Sequence, residues 1–182
     1  MKQIAVLILL AGLAAGCASS PGPDLYTLNM QASAEAGSPV NLTLTRLRVA
    51  EALQNKRILI KKSPTEIEYY AAAQWAAGLD ELLAEKLAVE FGPLDPARKT
   101  MVVSGILLAF EQVDSPAGGE AHVRLALEFR NEGSSHYAKP ALARTYDVWL
   151  PASSATPGGI VESLSVCLEK VARQIVADAS AL

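Results

Sequence analysis

The chain is poor in the residues that build cross-links, metal centres and most catalytic sites, holding two cysteines and two histidines among 182 residues. Two cysteines allow one disulfide at most, and the setting of the first, described below, removes it from pairing. The domain must then stand on its apolar core even in an oxidising compartment. The two histidines, His122 and His136, stand apart from carboxylates or cysteines at ligand spacing. His122 falls on the polar face of a predicted strand and His136 in a loop, so both read as solvated side chains and no metal is expected. Ser104-Gly105 lacks the preceding glycine of a nucleophile elbow, and Gly118-Gly119 reads as a hairpin turn rather than a phosphate cradle. Nothing assembles a nucleophile, a base and an oxyanion donor, so the expectation is no catalytic residue, no cofactor and no enzyme. A basic excess is missing too, since the net charge is −3 with no basic stripe, which argues against nucleic acid as a partner.

Also missing is an apolar run of the roughly 20 residues that a membrane-spanning helix requires. What stands at the N-terminus is shorter: Lys2, then the run from Ile4 to Leu13, then Ala14, Ala15 and Gly16. These are the three parts of a secretory signal, predicted over residues 1–16. Leu13-Ala14-Ala15-Gly16-Cys17 resembles the bacterial lipobox, with Ala14 where Leu is commoner, and makes Cys17 the expected site of lipid attachment. Acyl chains that each bury many methylenes at about 0.8 kcal/mol apiece would hold the mature chain on a membrane without a spanning helix. No Asp follows Cys17, and Ala18 in that position favours sorting to the outer membrane. Residues 17–24, rich in Ser, Pro and Gly, read as a lipidated tether. Lys2 leaves with the leader, so the mature balance is 15 basic against 19 acidic residues.

The remaining residues, 25–182, suffice for one domain. Extended segments are predicted at Tyr26–Leu28, at Val40–Val49 with a bulge near Thr45 and Arg46, and at Arg57–Lys61, with a break at Ser63-Pro64-Thr65. A helix is predicted from Tyr70 to Phe91, with Trp75, Leu79, Leu82, Leu83 and Leu87 on its buried face and Asp80, Glu81, Glu85 and Lys86 in solvent. Gly92-Pro93 ends it. Thr100–Phe110, Ala121–Arg130 and Ala141–Leu150 form three further strands joined by short connections, which only antiparallel neighbours permit. A closing helix from Ile160 to Ala179 carries the stripe Ile160, Leu164, Cys167, Leu168, Val171 and Ile175, which places Cys167 in the core as a small hydrophobe. The expected fold is α+β: an antiparallel sheet of about four to five strands with two helices packed on one face. Trp75 reads as core, and Trp149, at a strand end, has no assigned role.

The segment Gln74-Trp75-Ala76-Ala77-Gly78-Leu79, running into Leu87-Ala88-Val89-Glu90-Phe91-Gly92, resembles the Arg-Trp-Ala-x-x-Leu helix of the ABC-type transport auxiliary lipoproteins, the PqiC-like partners of MCE lipid transporters. Ala109-Phe110-Glu111 is similar to that family's Phe-Glu strand end, and the resemblance extends from about Tyr26 to Ala179. Val49-Ala50-Glu51-Ala52-Leu53 lacks the family's proline, and Gln74 stands where the family has Arg. The resemblance implies a non-catalytic accessory on the periplasmic face of the outer membrane. Its partners would be an MCE-domain protein and ABC transporter components that carry phospholipid between membranes, and a homo-oligomer is left open. Two rivals suit the same leader and fold: a pilotin-like or assembly-factor lipoprotein of another outer-membrane machine, and a periplasmic hydrolase with its polar groups gathered in a cleft.

If lipid on Cys17 carries the anchoring energy, Cys17→Ala should leave a folded domain that is released from the membrane fraction. Radioactive palmitate should label the unsubstituted chain and not the variant; an unlabelled parent chain would refute the assignment.

Overall fold

The computed structural model describes residues 22–32, 39–116, 118–135 and 137–182. Residues 1–21, which contain the leader and Cys17, lie outside the described residues, as does His136. Seven strands form one sheet: β1 (Asp24–Tyr26), β2 (Asn41–Val49), β3 (Arg57–Ser63), β4 (Glu66–Trp75), β5 (Thr100–Ser115), β6 (Gly118–Asn131) and β7 (Leu142–Pro151). Among the described residues the α-helices are α1 (Leu79–Phe91) and α2 (Pro157–Ser180). The α+β expectation stands, but the strand count exceeds four to five and the sheet is mixed.

The long strand β5 sets the topology. β6 pairs antiparallel along nearly all of one edge, from Met101↔Asn131 to Ser115↔Gly118. The other edge takes β2 over Thr100–Leu107 and β3 over Glu111–Val113, both parallel. β2 and β3 therefore lie end to end, interrupted by a single 3-10 turn at Glu51–Leu53. β4 pairs antiparallel to β3, and β1 adds parallel to β4 as an edge. β5 can run parallel to β3 because β4 and α1 together make the long connection between them. The register of β2 on β5 shifts between Leu44 and Arg46, where the bulge is predicted.

The predicted helix from Tyr70 is corrected: Glu66–Trp75 is strand β4 and the helix begins at Leu79. Ala71, Ala72 and Ala73 favour helix intrinsically, and the Trp75–Leu79 spacing imitates a helical stripe. Pairing overrides that propensity, since Ala73, Gln74 and Trp75 are held between β3 and β1. Gly78, extended at φ −63° and ψ 145°, separates the two elements. The first strand is likewise Asp24–Tyr26 rather than Tyr26–Leu28, so Asp24 belongs to the sheet and not to a tether.

α1 ends at Gly92, whose φ of 77° stops the helix. α2 starts on Thr156, whose Oγ1 accepts a hydrogen bond from the Gly159 N–H at 3.2 Å, with Pro157 in the first turn. α1 packs over β2, α2 over β6, β7 and β5, and the helices touch each other, which puts both on one face of the sheet. That face supplies Met101, Val103, Leu107, Leu125, Leu127 and Phe129, all buried. Among the described residues no helix is long and apolar enough to cross a membrane.

Lys86 is corrected from solvent to core. It is fully buried, and its Nζ donates to the Gln31 carbonyl at 2.7 Å and stands 2.7 Å from Glu90 Oε1 and 3.2 Å from Glu169 Oε1. Two of these contacts are hydrogen bonds, to the segment after β1 and to α2, and the third is an ion pair within α1. A buried cation is tolerated only when so satisfied, and removal of one partner from such a group is strongly destabilising.

Gly105 of β5 pairs with Leu127 of β6. A Cβ there would meet the Ala126 carbonyl oxygen at 2.0 Å and Leu127 Cδ2 at 2.7 Å. Since the first of these is backbone, the clash cannot be relieved by a rotamer change. Gly105→Ala should lower unfolding free energy by about 1–3 kcal/mol or more, measured by urea denaturation. A variant as stable as the parent chain would disprove this tight β5–β6 approach.

Candidate binding surface

The face of the sheet turned away from the helices carries the polar side chains of β2, β5, β6 and β7. In β6, His122, Arg124, Ala126, Glu128 and Arg130 alternate with the buried Ala121, Val123, Leu125, Leu127 and Phe129. Two features stand on this face.

The first is centred on His122, which is buried at 6% exposure rather than solvated as expected from its place on a polar face. Its Nδ1 lies 3.1 Å from Glu111 Oε1 on β5, and its Nε2 lies 3.0 Å from Asp147 Oδ1 on β7. Trp149 stacks over the imidazole with ring centroids 3.7 Å apart and 14° between planes, and its Nε1 donates to the same Asp147 oxygen at 2.8 Å. Arg124 approaches the other Asp147 oxygen at 3.6 Å. A neutral imidazole has one N–H, so two carboxylate acceptors are both served only by a doubly protonated ring or by one protonated carboxyl. With each nitrogen facing a carboxylate, the cluster ties β5, β6 and β7 together. Trp149 thereby acquires the role that its position alone did not indicate. Among the described residues no three histidine, cysteine or acidic side chains are grouped so as to hold a metal ion.

The second feature is a cavity of about 670 Å³ across β2, β5, β6 and β7, floored by Gly105, Ile106 and Ala126. Four arginines and one glutamate line it, in a chain whose net charge is −3. Arg130 is engaged by Glu128 at 2.9 Å and by the Ala138 carbonyl, and Arg144 by Asp178. Arg46 and Arg48, on the same face of β2, have no acidic side chain within ion-pair distance among the described residues. The same two arginines also line a neighbouring cavity of about 460 Å³ that reaches Lys56, Trp75 and the start of α1 at Leu79 and Asp80.

The other residues singled out in the sequence fall elsewhere. Trp75 is core as expected, but from the end of β4, where it packs on Phe110 with centroids 5.5 Å apart. Cys167 is fully buried under α2 with its Sγ 3.7 Å from the Ala121 carbonyl, and burial pushes its thiol up to about 12. Tyr146 donates to Asp178 at 2.7 Å, and burial together with that carboxylate raises its hydroxyl above the usual phenolic range.

A mixed sheet with both helices on one face and an open polar face on the other defines a small α+β domain suited to binding. The chain matches the model of the ABC-type transport auxiliary lipoprotein component over residues 26–176 and belongs to that family. Its fold is similar to the crystal structure of a Xanthomonas campestris protein of the DUF330 family, with a TM-score of 0.70 at 16% identity, covering 86% of this chain and 94% of that one. A second solved structure, of an uncharacterized protein, gives a TM-score of 0.65 at 14% identity, covering 87% and 99%. The comparison with curated proteins yields no match.

The His122 cluster makes a paired expectation. His122→Leu strands the Glu111 carboxylate, which is 8% exposed, and should cost about 1–3 kcal/mol of stability in chemical denaturation. Adding Glu111→Leu removes the stranded group and should restore part of that loss. Two independent, additive losses would mean that the pair is not coupled.

Proposed function

We propose that the protein is a lipid-anchored, non-catalytic component of an ABC- and MCE-type system that moves phospholipid between the membranes of a Gram-negative envelope. The family match over residues 26–176 carries this reading. The lipobox-like run that ends at Cys17, with Ala18 after it, supports attachment through that cysteine to the periplasmic face of the outer membrane. The geometry agrees with a binding role, because His122 and its carboxylate partners are consumed in holding β5, β6 and β7 together. The apolar surfaces of both helices are spent on the core, so partners would be met by the open sheet face, the β7 edge and the loops.

A tagged copy expressed at native level and captured from detergent-solubilised membranes should bring down an MCE-domain protein together with ABC transporter components. Loss of the gene should weaken the outer-membrane permeability barrier, and the Cys17→Ala copy should restore it poorly. Capture of a secretin or an outer-membrane barrel protein alone would replace this reading with that of an assembly factor. Turnover of a lipid or peptide by the purified protein would end the non-catalytic assignment.

A further inference from the structure

We infer that the cavity on the helix-free sheet face is a binding site for a phosphate monoester or diester, held by Arg46 and Arg48. The two side chains project from alternate residues of one strand, opposite Ser104 and Ile106 in the parallel register. Guanidinium groups in that disposition present planar forks of N–H donors, which match the oxygens of a tetrahedral anion better than a point charge does. Their neighbours Arg130 and Arg144 already have carboxylate partners, whereas these two have none among the described residues. The lining is thus left with positive charge that an anion would balance.

Shape narrows the ligand. About 670 Å³ falls within the range of small-molecule sites, which run from roughly 300 to 1,000 Å³. A bare phosphate would leave most of it empty. The floor, formed by the backbone at Gly105 with the side chains of Ile106 and Ala126, includes apolar surface. An anionic head on the arginines with a less polar portion over this floor uses both parts of the surface. Ser104 and Thr145 stand within the lining as hydroxyl donors for further oxygens. Choosing a lipid as the source of the phosphate rests on the transport reading above; the phosphate chemistry does not.

The full chain in a nonionic detergent would be titrated calorimetrically with four probes: inorganic phosphate, glycerophosphoglycerol, dihexanoyl-phosphatidylglycerol and a poly-glutamate peptide. The three phosphates should bind, and their affinity should fall as salt rises. Arg46→Ala and Arg48→Ala should each weaken binding about tenfold, the scale of one charge-assisted hydrogen bond, and the double variant more. Both side chains are solvent-facing, so the variants should melt with the parent chain, and a lowered melting point would be resolved by repeating the titration with Arg46→Lys and Arg48→Lys. Tightest binding of the acylated probe identifies a lipid headgroup as the source, tightest binding of glycerophosphoglycerol identifies a soluble ester, and binding of inorganic phosphate alone would overturn the ester assignment. No phosphate binding, binding unchanged in the double variant, or a clear preference for poly-glutamate would overturn the site. None of these results bears on which membrane proteins are captured with the chain, so the two readings fail separately.

Discussion

The backbone ladder along β5 is the constraint on which the rest of the structure depends. Sixteen residues of one strand satisfy β6 on one edge and both β2 and β3 on the other, so no other element touches as much of the sheet. Because β2 and β3 share an edge end to end, that edge is interrupted at the Glu51–Leu53 turn. The two cavities share Arg46 and Arg48 of β2, just before that turn. Gly105 keeps the ladder close enough for this: any side chain there would prise β6 from β5 at the floor of the larger cavity.

Local patterns in the sequence carried some of this fold, and long-range pairing carried the remainder. Ala121 to Arg130 alternates because β6 has one buried and one open face, and the closing helix shows its stripe because α2 packs on one side only. The bulge near Arg46 could be read because a change of phase is written in neighbouring residues. β4 could not, since the helical leaning of Ala71 to Ala73 is local while the pairing that overrules it comes from Arg57 and from Asp24 to Tyr26. The mixed topology escaped for the same reason, as the residues paired in parallel with β5 lie 52 to 59 residues from their partners along the chain.

The polar interior was the least legible part. Lys86 and Glu90 carry charges that normally mark a solvent face, and only the arrival of Gln31 and Glu169 makes their burial tolerable. His122 looked solvated because its strand face is polar, yet β5 and β7 bring a carboxylate to each of its nitrogens. A clue did exist: the Ser115 to Gly118 turn, counted back along both strands, sets Glu111 opposite His122. The arginines of the open face gave no signal, being two ordinary surface residues until the sheet shows what they line.

The route by which the chain enters the domain has a mechanical meaning. From Asp24 onward it is tied successively to β4 through backbone pairing, to the core through the buried Leu28, to α2 through the Asn29 N–H on Ser165 Oγ, and to α1 through Lys86 on the Gln31 carbonyl. A load applied along the axis of β1 meets the β1–β4 pair first. Those hydrogen bonds are then loaded in shear, together and not one after another. Beyond them each further tie hands the force to a different layer, so a load entering through β1 is shared across the sheet, α2 and α1.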